Sequence, residues 1–213
     1  DVANLKKEIL SCTTPSDKYV YSKRLYDEYM KFNPDSAAYY SRMSQKYALE
    51  GGMHSEYLQA KIDGLLLTIL SGDPYKAKVK IDEMAPIDSL PKFARPKLAM
   101  VYLEFYMRRQ YISKGKTDDY FNMTRGECWR TFGKYLSSGD WVYDYYKNCI
   151  LRCDNRNQLL KDFSKAREPS IQAAMLAYAI AVAYQKVGKE EMYCHWLIRS
   201  ATNDVVSVNR ESQ

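Results

Sequence analysis

Apolar residues recur along the chain with the period of a helix. In Asp17–Phe32, the residues Tyr21, Leu25, Tyr29 and Phe32 fall at i, i+4, i+8 and i+11, which is one face of an amphipathic helix. Asn33-Pro34 closes that helix and opens the next, with Asn33 as N-cap and Pro34 in the first turn, where a missing N–H costs nothing. Ala37, Tyr40, Met43 and Tyr47 form the following stripe, which stops at Gly51-Gly52. Tyr57–Leu70 is apolar on more than one face, as expected of a helix between neighbours. Gly72-Asp73-Pro74 breaks it, Asp73 caps, and Ala77, Ile81 and Met84 mark a short partner helix. Ser89–Pro96 restarts the chain before an apolar helix over Leu98–Tyr111. Thr117-Asp118-Asp119 opens Tyr120–Leu136, Gly139-Asp140 opens Trp141–Cys153, and Asp154-Asn155 precedes a short helix to about Lys165. Glu168-Pro169-Ser170 opens an alanine-rich helix to Val187, Gly188 stops it, and Glu190–Val208 is the last. No strand-like alternation interrupts this series of about eleven helices.

The connections are short, so consecutive helices form hairpins. Ala60–Met84 has the layout of a tetratricopeptide unit: an apolar first helix, a turn at Ser71-Gly72-Asp73, and a second helix with the small residue Ala77 near its start. Ala174–Ala201 repeats that layout around Gly188, with Tyr193 where the small residue would stand. The glycines at 72, 139 and 188 are not spaced by multiples of the 34-residue repeat, which excludes a strict array. The expected fold is all-α, a tetratricopeptide-like α-α superhelix of divergent hairpins, with a plain helical bundle as the alternative. Leu58–Leu70, Leu98–Met107 and Ala173–Tyr184 are expected as inner helices. No linker, charge block or low-complexity tract marks an internal boundary, so residues 1–213 read as a single helical-repeat domain.

Composition agrees with this picture. Nine glycines and seven prolines in 213 residues are too few for a sandwich or a Rossmann sheet, whose many turns need them. The longest charge-free run, Pro169 to Gln185, is too short to span a bilayer. The net charge of +6 invites a test for nucleic-acid binding, but lysines and arginines are interleaved with acids and form no stripe, so none is expected. Cys149 and Cys153 stand at i, i+4, yet the two histidines, His54 and His195, are far apart in sequence and no four-ligand zinc set exists. Those two cysteines read as small buried hydrophobes, and no metal or other cofactor is expected. No nucleophile elbow, phosphate loop or dinucleotide fingerprint occurs, and the carboxylates at helix starts serve the helix dipole, so no catalytic residue is assigned. The one excess is aromatic, with twenty tyrosines. Tyr102, Tyr106 and Arg109 follow one another on a single face and are candidates for partner binding on the concave side of a solenoid; the competing reading is that the tyrosines fill an interhelix seam.

Two stretches carry a resemblance. Tyr26-Asp27-Glu28-Tyr29-Met30-Lys31-Phe32-Asn33-Pro34-Asp35-Ser36-Ala37 with Tyr39-Tyr40, and His195-Trp196-Leu197-Ile198-Arg199-Ser200-Ala201-Thr202-Asn203-Asp204, are similar to a Bacteroidetes family of tetratricopeptide-like sensor regulators. That resemblance implies a longer membrane protein: a secretory signal, a helical-repeat sensor outside the cytoplasm, a transmembrane helix, and a cytoplasmic output. On this reading the chain is a mature, truncated, periplasmic sensor fragment that binds a protein, peptide or small-molecule ligand. It touches the membrane only through segments absent here, and a homodimer of the full-length protein is left open. The alternative is a freestanding cytoplasmic scaffold for protein–protein interaction.

Overall fold

Thr14 shows how the helices are punctuated. Its hydroxyl accepts from the Asp17 amide at 3.1 Å, and Pro15 takes the first helical position. The computed structural model describes residues 2–71, 74–108 and 123–211. Among these residues it contains eleven α-helices, two single-turn 3-10 segments and no strand. The fold is all-α and tetratricopeptide-like. The chain divides into two compact units whose described parts are 2–108 with Glu211, and 123–210, a division that nothing in the sequence pattern marks.

The first unit begins with α1 (Val2–Ser11), α2 (Pro15–Tyr29) and α3 (Pro34–Glu50). The α2–α3 connection is the expected one: the Asn33 side chain accepts from the Ser36 amide at 3.0 Å, and Pro34 follows. Two helices joined by so short a link run antiparallel. The buried positions of α3 are all small, Ala37, Ser41, Ser44 and Ala48, so its neighbours can approach closely. Ala37 packs with Leu25 and Tyr26 of α2 and with Leu67 of α4 (His54–Leu70); Ala48 packs with Tyr19 and Ala60. Gly64, inside α4, completes this seam. A Cβ there would lie 2.9 Å from Ser41 Oγ, which accounts for a glycine where helix propensity opposes one by about 1 kcal/mol.

Beyond α4 come α5 (Pro74–Asp82) and α6 (Arg95–Arg108). From Leu98 to Tyr106 every residue of α6 except Met100 is buried; the apolar pattern accounts for all but Glu104, whose carboxylate pairs with Arg108. Helix α1 is not among the expected elements, although Val2, Leu5 and Ile9 fall at i, i+3 and i+7 on one face. Leu5 is its one buried residue, docked on Leu25, Tyr26 and Tyr29, with Val2 and Ile9 alongside.

The second unit holds α7 (Arg125–Phe132), α8 (Trp141–Leu151), α9 (Arg156–Phe163), α10 (Ile171–Lys186) and α11 (Glu190–Glu211). Two boundaries differ from expectation. A capping box starts α7 at Thr124: Thr124 Oγ1 accepts from the Glu127 amide while the Glu127 carboxylate accepts from the Thr124 amide at 2.8 Å. The start expected near Thr117-Asp118-Asp119 lies outside the described residues, as do Gly72-Asp73 and Arg109. Helix α8 ends earlier than expected because Arg152 adopts φ 51°, a left-handed cap held by Lys186 Nζ donating to its carbonyl. Cys153 therefore lies outside the helix that carries Cys149.

Helix α10 is buried on several faces, as expected, through Ala173, Ala177, Ala181, Leu176 and Ile180. Against it and α9 sits α11. Ser200 Oγ donates to the Ala174 carbonyl at 2.8 Å, and Trp196 meets Phe163 edge-on at 5.1 Å. Arg199 grips the Glu168 carboxylate with two nitrogens at 2.6 and 3.2 Å, and its guanidinium lies over the Phe163 ring. Asn203 adds a third donor to that carboxylate at 2.9 Å.

Two outcomes follow. A methyl group at Gly133 would sit 2.6 Å from the Trp129 ring, itself packed edge-on against Tyr143. Gly133→Ala is expected to cost about 1–3 kcal/mol in urea unfolding, as overpacking does; an unchanged midpoint would refute the contact. The Glu168 clamp has a pH signature. The Arg199 and Asn203 donors hold the carboxyl below its usual range, so its contribution is complete above the unfolded pKa and is lost as pH falls through the folded one. The stability gap between wild type and Glu168→Gln should shrink on acidification, and a gap constant with pH would show that the carboxylate charge plays no part.

Candidate functional site

Two arrangements in the first unit combine charge with surface. The first spans α2, α4 and α6. Asp63 is 9% exposed, and its two oxygens face Lys23 Nζ at 3.5 Å and Lys97 Nζ at 3.6 Å. A buried carboxylate needs such partners, because desolvation otherwise outweighs what its charge gains. Lys23 also pairs with Asp27 and lies over the Tyr26 ring at 4.8 Å. The Tyr26 hydroxyl donates to the Asp63 backbone carbonyl at 2.9 Å. Burial, with Asp63 nearby, pushes the Tyr19 hydroxyl up to about 12 and raises Tyr26 as well. These phenols stay neutral hydrogen-bond donors at physiological pH. Every charge in this cluster is met by another, so its chemistry is that of a staple joining three helices.

The second arrangement is a crevice of about 350 Å³ between α3 and α5, floored by α4. Gln45 fixes the local register, its amide donating to Ser41 Oγ and to the Ala60 carbonyl, both at 3.4 Å. Arg42, Lys61 and Lys80 line the crevice, one from each helix, together with Asp35 and Glu83. In the sequence these three residues stand singly among interleaved acids and bases. A signal was present, since positions 42, 61 and 80 stand nineteen residues apart, about the length of one helix and its turn.

The residues singled out from sequence lie elsewhere. Tyr102 and Tyr106 are 9% and 8% exposed, within the continuous apolar face of α6, and Arg109 is outside the described residues. A ligand reaches either ring only where the surrounding helices part.

The second unit has a polar network inside it. Asn148, 1% exposed, donates to the Cys153 carbonyl at 3.0 Å and to Asn155 Oδ1 at 2.9 Å. Asn155 in turn donates to the Asp144 carbonyl, and Gln158 to Asp162. Burial, then the neighbouring Asp162, raises the Asp144 carboxyl, while burial pushes the half-buried Cys149 thiol up to about 12, far from thiolate reactivity. Among the described residues no three His, Cys, Asp or Glu side chains are arranged to hold a metal ion, and no helix is long and apolar enough to cross a membrane.

This architecture of helix hairpins, with its capped turns and small-residue seams, agrees with a comparison to family models. The model described as the SusR N-terminal TPR domain matches residues 1–213. The chain belongs to this family. No curated protein and no solved structure matches it. The two stretches that carried the resemblance fall on structural joints of the SusR N-terminal TPR domain: one on the α2–α3 turn, the other on the part of α11 that holds Glu168.

Tyr102→Ala and Tyr106→Ala decide between seam and partner roles for α6. Each is expected to lower the unfolding free energy by about 3–5 kcal/mol, as truncation of a buried aromatic does. Lost partner binding at unchanged stability would instead return the two tyrosines to a ligand-facing role.

Proposed function

We propose that this SusR N-terminal TPR domain is the non-catalytic sensor module of a membrane-bound transcriptional regulator, lying on the periplasmic side. The observation that carries the reading is the family match over all 213 residues. Helical-repeat domains of this kind bind ligands or proteins, and their stacked hairpins suit a switch. Each hairpin is a rigid pair, and a ligand that touches two of them favours one spacing over another. The α3–α5 crevice has this form, because its walls come from two successive hairpins, α2–α3 and α4–α5. The energetic demand is large: moving a two-state equilibrium from 1:99 to 99:1 takes about a 10⁴-fold preference for one state. An occupant held by several helices at once can meet that demand more readily than one held by a single side chain.

Exposed Cys194 tests the location directly. In intact cells producing the full-length protein, a maleimide that crosses the outer but not the inner membrane is expected to modify Cys194 before lysis, as read by mass spectrometry. Modification only after lysis would place the domain in the cytoplasm and favour the scaffold reading.

A further inference from the structure

We propose that the crevice between α3 and α5 binds a small soluble polyanion, a molecule carrying two or more negative charges on phosphate or carboxylate oxygens. This inference stands on the crevice alone and holds whatever output the domain drives.

Among the described residues, five lysines of this unit have carboxylate partners, while others, such as Lys7 and Lys92, stand unpaired on the open surface. Lys23 pairs with Asp27 and Asp63, Lys31 with Glu28, Lys46 with Glu50, Lys78 with Asp82, and Lys97 with Asp63. Arg42, Lys61 and Lys80 have no such partner among the described residues, yet they converge on one cavity from three consecutive helices. Unpaired cations spread over an open surface are ordinary. Three that share a concave wall outnumber the two carboxylates there, and a net positive cleft draws anions toward it.

Geometry places them together. Gln45 hydrogen-bonds across the seam to the Ala60 carbonyl, which brings the α3 turn carrying Arg42 beside the α4 turn carrying Lys61. Helix α5 returns along α4 and supplies Lys80 from the opposite wall. Gly64 leaves the floor open, for a Cβ there would meet Ser41 Oγ at 2.9 Å and Gln45 Nε2 at 3.2 Å. Two carboxylates also line the crevice. Asp35 stands two turns before Arg42 on α3, about 10 Å away along the axis, and Glu83 sits beyond the end of α5. Three cations against two carboxylates leave the crevice net positive.

Its size limits the occupant. About 350 Å³ lies at the low end of the roughly 300–1,000 Å³ typical of small-molecule pockets, enough for a pyrophosphate or a tricarboxylate. The guanidinium of Arg42 offers a planar pair of donors to one anionic group, and the two ammonium groups act as point charges for a second.

Calorimetric titration of the 213-residue chain with pyrophosphate and with citrate, at constant ionic strength, is the test. The expected result is saturable one-to-one binding of at least one of them. It should weaken about tenfold or more in the variant combining Arg42→Gln, Lys61→Gln and Lys80→Gln, with thermal stability unchanged. Lys46→Gln, which removes an equal charge from α3 outside the crevice, should leave the affinity as it was. The proposal is overturned by absence of saturable binding, by wild-type affinity in the triple variant, or by equal loss in Lys46→Gln. A chain that binds a glutamate-rich peptide but neither small anion overturns it too, and makes the crevice a protein contact.

Discussion

Close approach of α3 to its two neighbours is the constraint on which the first unit is built. A helix that buries only Ala37, Ser41, Ser44 and Ala48 contributes little apolar area of its own. Its value is to let Leu25, Tyr26, Leu67 and Tyr19 on either side meet over a thin spacer, where dispersion contacts are dense. Larger side chains on α3 would push α2 and α4 apart. With that shift the Tyr26 hydroxyl would leave the Asp63 carbonyl and Lys23 would leave the Asp63 carboxylate, so the buried charge would lose its compensation. The crevice depends on the same seam, because Gln45 and Gly64 set its floor.

Tyrosine does much of the remaining packing. Tyr29 and Tyr40 stack at 5.5 Å with nearly parallel planes, Tyr39 meets Tyr40 edge-on, and Lys6 lies over Tyr29. Such rings bury a large apolar body while leaving a hydroxyl to find a polar partner, which suits seams whose rims are wet. This explains why a tyrosine excess gave an ambiguous signal for ligand binding. The spacing of Tyr102 and Tyr106 shows that they share a face of α6, but i, i+4 spacing does not say whether that face meets solvent, and here it is covered.

Legibility from sequence followed the range of the interaction involved. The α2–α3 turn could be read from Asn33-Pro34 because an N-cap and a first-turn proline act within four residues. Helix α10 could be read because an alanine-rich, almost charge-free run lies between the breaks at Glu168-Pro169-Ser170 and Gly188. Helix α1 is as readable, since Val2, Leu5 and Ile9 stand at i, i+3 and i+7 on the face that meets α2, yet its single short stripe is not among the expected elements. The Thr124–Glu127 capping box was as local as the Asn33 turn, and the acidic run at Thr117-Asp118-Asp119 drew attention from it. Division into two units depends on contacts between distant residues, to which periodicity is blind. The same holds for Arg42, Lys61 and Lys80, which become neighbours only when three helices stack.

The joints that hold these helices in place are also the ones that say least about what the domain binds. Asn33 must accept the Ser36 amide, Arg199 must reach Glu168, and Ser200 must reach the Ala174 carbonyl. Each is fixed by packing, and a change at any of them is felt as lost stability. Arg42, Lys61 and Lys80 project from the same helices without a partner inside the unit, so the fold places no demand on their identity. A repeat scaffold therefore separates two kinds of position: those whose chemistry closes the seams, and those left over along the crevice. The seams fix the helix positions, and the crevice between them is left free to differ in its charge without cost to that packing.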